Sequence, residues 1–94
     1  MYSINIKFEW DDKKSSSNKT KHGIDFDAAK DLWNDSNRVE IETAYPIEER
    51  TILIGSIKNE LWTAIFTQRE DAVRIISVRR ARKREAKLYD SKNG

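Results

Sequence analysis

The chain has 94 residues, with 18 Lys and Arg against 16 Asp and Glu, one His, no Cys, three Gly, one Pro, and three each of Phe, Trp and Tyr. A chain this short buries only about 60 to 65 per cent of the surface its unfolded form exposes, so residues 1–94 are expected to form one small domain resting on those aromatics. The missing cysteines exclude disulfides, thiolate zinc sites and cysteine nucleophiles, and no apolar run approaches the roughly 18 residues that span a bilayer, so a cytoplasmic protein with no membrane partner is expected.

In chain order, Ile4, Ile6, Phe8 and Trp10 alternate with polar residues, a period of two that predicts a first strand with all four apolar side chains on one sheet face. The polar stretch DDKKSSSNKTKHG has an acidic start, a basic end and a terminal Gly23, which predicts a helix, weakened by Ser15, Ser16 and Ser17. Asp25 offers an N-cap to a second helix, whose stripe of Phe26, Ala29, Leu32 and Trp33 ends near Asn34. From residue 38 period two returns for about forty residues, a length that fits four strands. Val39 and Ile41 mark one strand. RTILIGSI and LWTAIFT, apolar on both faces and joined by Lys58, Asn59 and Glu60, read as a central hairpin. After a polar turn from Gln68 to Ala72, VRIISV is the last strand, and RRARKREAKLYD reads as a C-terminal helix. The order β-α-α-β-β-β-β-α predicts an α+β class: an antiparallel sheet with the two early helices covering one face.

Charge is unevenly spread. Residues 74–87 hold Arg74, Arg79, Arg80, Arg82, Lys83, Arg84 and Lys87 against Glu85 alone, while the rest of the chain is net acidic. Such a concentration attracts polyanions, most commonly nucleic-acid phosphates, and the alternative is a solvated helix face laced with arginines.

The residues that can carry chemistry are few. One His, no Cys and scattered carboxylates offer no metal-ligand cluster, the serines lie away from any G-x-S-x-G, and the glycines are too far apart to cradle phosphate, so neither metal nor cofactor is expected. The remainder suits cleavage of RNA by its own 2′-hydroxyl, in which the protein orients the nucleophile, stabilises a dianionic phosphorane and moves protons. Arg79, at the end of the last strand on the face shared by Ile75 and Ser77, and Arg69, in the turn before that strand, are candidate phosphate groups; ordinary surface ion pairing is the alternative. His22 is the one histidine, the residue type used for proton transfer near neutrality, but its place beside Lys21 before Gly23 equally suits a cation at a helix C-terminus. Glu49 beside Arg50 reads either as a base or as an arginine's partner.

The ordered set Phe8-Glu9-Trp10-Asp11, Asn18, Lys21-His22-Gly23-Ile24, Phe26, Ala28-Ala29, Glu49-Arg50, Gly55, Thr67 with Arg69, Arg74-Ile75-Ile76-Ser77, Arg79, Ala81, Glu85 and Tyr89 resembles the BrnT toxins, members of the RelE-like ribonuclease superfamily in bacterial type II toxin–antitoxin pairs. The K-H-G-[VI] block with R-I-I-S-x-R at this separation carries the resemblance, and Val78 departs from the small residue usual before the last arginine. The resemblance implies a RelE-like fold and a metal-independent endoribonuclease that acts on mRNA or ribosome-associated RNA to inhibit translation and growth. It further implies neutralisation by a BrnA-like antitoxin, in a hetero-oligomer that binds operator DNA through the antitoxin. Carried over residue by residue, it gives Arg69 and Arg79 the phosphate and transition-state roles, makes Glu49 and Arg50 their neighbours, and makes Lys21 or His22 the proton handlers. Arg74, Arg80, Arg82, Lys83, Arg84 and Lys87 would hold RNA or dock the antitoxin. The reading from a different class is a non-catalytic nucleic-acid or partner-binding module that uses the same basic helix.

Overall fold

The computed structural model describes residues 6–43 and 50–94; Ile4 and Glu49 lie outside them. Strand β1 (Lys7–Glu9) leads into helix α1 (Asp12–His22) and the short helix α2 (Phe26–Ala29), which tightens into a 3₁₀ turn over Lys30–Asn34. Strands β2 (Val39–Thr43), β3 (Arg50–Ile57), β4 (Glu60–Arg69) and β5 (Ala72–Arg80) follow, and helix α3 (Lys83–Asn93) closes the chain. The class is α+β, built on one five-stranded sheet in the order β1-β5-β4-β3-β2.

The sheet departs from the all-antiparallel expectation at one edge. The later strands do pair antiparallel, but β1 lies parallel to β5, with Phe8 opposite Val73. The chain leaves β1 through α1 and α2, so the strand that opens the molecule ends beside the strand that closes the sheet. The turns are also shorter than the sequence suggests. Lys58 and Asn59, both with positive φ (52° and 66°), form a two-residue hairpin of the kind that matches strand twist, and Glu60 already belongs to β4. Arg69 is the last residue of β4, paired with Ala72, and only Glu70 and Asp71 turn. Arg79 and Arg80 are strand residues, so the C-terminal helix starts later than its helix-forming composition implies.

Alternation gives the sheet two unlike faces. On the first, Leu53, Ala64, Phe66, Ile75 and Val78 are 0 to 4 per cent exposed beneath α2 and the 3₁₀ turn, with Ile6, Phe8 and Trp10 of the β1 segment packed against them. Phe26, Ala29 and Leu32 recur every third residue and are each sealed at 0 to 1 per cent, which suits the three-residue period of the tightened turn. Gly55 is where that turn crosses β3: a Cβ there would stand 3.2 Å from the Leu32 side chain. Burial of this apolar set, at roughly 25 cal/mol per Å², is the main favourable contribution to the fold.

Helix α1 is held by polar groups. Asp11 caps it by accepting from the Lys13 and Lys14 N–H groups, and Gly23 closes it at φ 82°. The serine run that reads as a weakness supplies a buried contact, since the Ser15 hydroxyl accepts the Phe26 N–H at 2.9 Å. Asn18, also buried, donates to the carbonyls of Ile24 and Val78 at 2.8 and 2.9 Å and accepts the Val78 N–H at 3.1 Å. It thereby satisfies the bonding edge of β5 that β1, paired only over Ala72–Arg74, leaves open. Among the described residues no helix is long and apolar enough to cross a membrane. Asn18→Ala strands buried backbone groups at that edge and should cost about 2–4 kcal/mol in urea unfolding; a loss below about 0.5 kcal/mol would show that the edge does not depend on it.

Candidate nucleic-acid interface

The second sheet face gathers the basic side chains, and it does so through an irregularity in β5. Arg74 and Arg79 are an odd number of residues apart, so strict alternation sends them to opposite faces. In the structure Thr63 pairs with Arg79 and Thr67 with Arg74, while Ile65 faces Ser77 and Phe66 faces Ile75. Ile76 is therefore an extra residue in β5, a β-bulge that returns Arg74 to the face of Arg79. The same bulge corrects the sequence reading of Ile75: Ser77 does share the face of Arg79, but Ile75 turns into the core at 1 per cent exposure. Arg69 shares this face two residues beyond Thr67, and Arg50, paired with Thr43, lies on it from β3. Four arginines from three neighbouring strands thus converge on one side of the sheet.

Arg79 is tied down. Its Nη1 and Nη2 donate to the two carboxylate oxygens of Glu85 at 2.8 and 2.9 Å, and both side chains are less than 20 per cent exposed. Nη1 also reaches the Arg80 carbonyl at 3.3 Å, which leaves Nε–H and one Nη2–H without a partner among the described residues. Glu85 is the centre of this cluster. It also accepts the Thr63 hydroxyl at 2.9 Å and the Arg82 N–H at 2.8 Å, so it caps α3 while fixing that helix to β4 and β5. The hydrogen bonds from Arg79 outweigh burial, with Arg82 and Thr63 adding to them, and hold the Glu85 carboxyl at about 2 instead of 4.5.

Arg74 donates to Glu9 at 3.1 Å, and Arg69 is exposed, with no ion pair among the described residues. Arg80 turns to the helix-covered face, where it pairs with Glu60 and sits 5.3 Å above the Trp62 ring. Arg82, Lys83, Arg84 and Lys87 are exposed without ion pairs among the described residues, and the first three border an open cleft of about 340 Å³ at the start of α3. Lys21 and His22 occupy the exposed last turn of α1 and contact none of the arginines through a hydrogen bond or ion pair. A larger cleft of about 550 Å³ lies between Ile24 and Trp62, but Asp27, Asp31 and Glu60 offset Lys30 and Lys58 there, so it has no preference for a polyanion. Among the described residues, no three His, Asp or Glu side chains group as metal ligands.

One anchor of this face escaped the sequence reading. Asp35, just after the 3₁₀ turn, accepts the Asn37 and Ser56 N–H groups at 2.9 and 2.8 Å and the Tyr89 hydroxyl at 2.8 Å. Burial raises the Asp35 pKa, but these bonds and the Arg38 charge outweigh it and leave the carboxyl below its usual value. Burial and the Asp35 carboxylate together push Tyr89 up to about 12. Tyr89 and Glu85, one helical turn apart, thus pin α3, and the Asn93 amide adds a bond to the Asn37 carbonyl at 2.9 Å.

Compared with known families, residues 10–85 match the family described as "Ribonuclease toxin, BrnT, of type II toxin-antitoxin system". Among curated proteins no match to the chain is found.

The Glu85 cluster makes stability depend on acid. Glu85 is depressed in the fold, so its contribution is complete above about pH 4.5 and is lost as pH falls through about 2, a swing of about 3 kcal/mol. Denaturant unfolding across that range should show the loss, and Glu85→Gln should flatten it. Arg79→Ala should cost about 2–4 kcal/mol near neutrality, because it leaves a partly buried carboxylate without its guanidinium; unchanged unfolding would remove Arg79 as the anchor of α3.

Proposed function

The chain belongs to the BrnT family of ribonuclease toxins of type II toxin–antitoxin systems, and from that premise we propose that it is a metal-independent endoribonuclease whose RNA lies across the arginine-bearing sheet face. The family implies RNA as substrate and an antitoxin as partner. The observation that carries the proposal is the alignment of Arg69, Arg74 and Arg79 on one face, next to the cations that open α3. Guanidiniums are the abundant charge-stabilising groups there, and they suit the non-bridging oxygens of a phosphorane.

In this reaction the 2′-oxygen attacks the adjacent phosphorus while the bond to the 5′-oxygen breaks. One proton leaves the 2′-hydroxyl and one is delivered to the departing 5′-oxygen, giving a 2′,3′-cyclic phosphate and a 5′-hydroxyl. We assign phosphate binding and transition-state charge to Arg69, with Arg74 and Arg50 alongside. Arg79 contributes its two remaining N–H groups while Glu85 fixes its plane. Proton handling is assigned to Lys21 or His22, with Glu49 as a neighbour of the arginine site, and Arg82, Lys83, Arg84 and Lys87 extend the track for the RNA backbone; Arg80, turned to the opposite face with Glu60 and Trp62, does not join it. The wider reading is that of a single, RelE-like toxin domain that acts in the cytoplasm, inhibits translation and growth, and is neutralised by a BrnA-like antitoxin in a complex that binds operator DNA.

Purified antitoxin-free protein should cleave RNA equally well with and without EDTA and leave cyclic phosphate ends. Arg69→Ala should lower the cleavage rate about 10²–10³-fold with no loss of stability, and Arg69→Lys should recover only part of it. A strict magnesium requirement, 5′-phosphate ends or a fully active Arg69→Ala would contradict the proposal.

A further inference from the structure

The sheet face that bears the arginines also has an apolar floor that is left partly exposed among the described residues. Ile41, Ile52 and Ile65 stand side by side across β2, β3 and β4, with Ile41 opposite Ile52 and Ile52 opposite Ile65. All three are partly exposed, although β3 and β4 are interior strands. Their neighbours on the other face, Leu53, Ala64 and Phe66, are sealed at 0 to 4 per cent. Helix α3 leaves the row partly exposed. It covers the next one, where Ile54 and Thr63 are 0 per cent exposed and Glu85 meets Arg79. The isoleucine strip therefore runs between two basic margins: α3 with Arg82, Lys83, Arg84 and Lys87 on one side, and Arg74 and Arg69 on the other.

We propose that this strip is the seat of the antitoxin, and that the occupant is an acidic amphipathic segment with apolar side chains on the isoleucines and carboxylates at both margins. The proposal rests on the toxin reading above and adds where and how the partner binds. Charge complementarity selects the acidic margins. The floor selects a peptide over a nucleobase, because base recognition by a sheet uses exposed aromatic rings. Every described Phe and Trp lies instead in the helix-covered core or packs against it: Phe8, Trp10, Phe26, Trp33, Trp62 and Phe66. A segment seated here lies over the guanidiniums that the RNA needs, so one contact both holds the partner and silences the enzyme.

The test uses the purified full chain, its cognate antitoxin and an RNA substrate. The double variant Ile52→Gln and Ile65→Gln should weaken antitoxin binding at least tenfold, measured by calorimetric titration, while its RNA cleavage stays within about threefold of the parent. Ile41→Gln, on the edge strand, should act in the same direction alone, which keeps the test open if the double variant fails to fold. Raising salt should weaken antitoxin binding further, as acidic margins require. Unchanged antitoxin affinity in a folded variant overturns the proposal, and so does loss of RNA binding with antitoxin affinity retained, which would make the strip an RNA surface. If the parent cleaves no RNA, the ribonuclease reading fails, and the antitoxin titration still decides the docking site.

Discussion

Arg74 and Arg79 stand an odd number of positions apart, as do Ile75 and Val78, and on a regular strand neither pair could share a face. The bulge at Ile76 resolves both at once. It turns Ile75 and Val78 together into the core, at 1 and 0 per cent exposure, and turns the two arginines together to the opposite side. Core packing and the placement of charge are therefore one constraint. A regular strand running from Val78 would send Ile76 and then Arg74 into the core, whereas the bulge puts Ile75 and Val73 there, so keeping a charge out of the apolar layer favours the irregular register and the arginine alignment follows from it.

The layers above and below this sheet are attached in different ways. On the core side, α2 and the 3₁₀ turn are held by apolar burial, whereas α1 relies on Ser15 and Asn18 to bond backbone that would otherwise be left unsatisfied. On the open side α3 has no fully buried residue and is pinned by Glu85 to Thr63 and Arg79, and by Tyr89 to Asp35. Beside this polar-pinned helix the isoleucine strip stays partly exposed among the described residues. The two Glu85 bonds also hold the Arg79 guanidinium in a fixed plane, which reduces the reorganisation needed to meet a phosphate.

The α+β class, the ends of α1 and the cap of α2 were legible in the sequence because they follow from local rules: strand alternation, an acidic start and a Gly23 terminator for α1, and Asp25 as the N-cap of α2. Features set by pairing between distant segments were not. Nothing near β1 shows that it will lie parallel to β5, and a bulge is a property of two strands in register. The odd spacing of Arg74 and Arg79 was the available signal, since two arginines meant for one site cannot alternate to one face without it. Glu85, the lone acid in a run of seven cations, was a second signal, and its isolation there fits its role as the internal counterion of Arg79. The serine run misled because helix propensity counts polar residues as weakness and is blind to a buried hydroxyl or amide that finds a partner.

The most direct test of the account is to map the RNA on the protein by NMR, titrating isotopically labelled chain with a short RNA whose 2′-hydroxyls are methylated so that it binds and is not cut. The largest shift changes should fall on the guanidinium of Arg69 and on the amides around Arg69, Arg74, Ser77 and Arg79, weakening together as salt is raised. Changes confined to the end of α1 at Lys21 and His22, or to the cleft beside Trp62, with the sheet face silent, would contradict it.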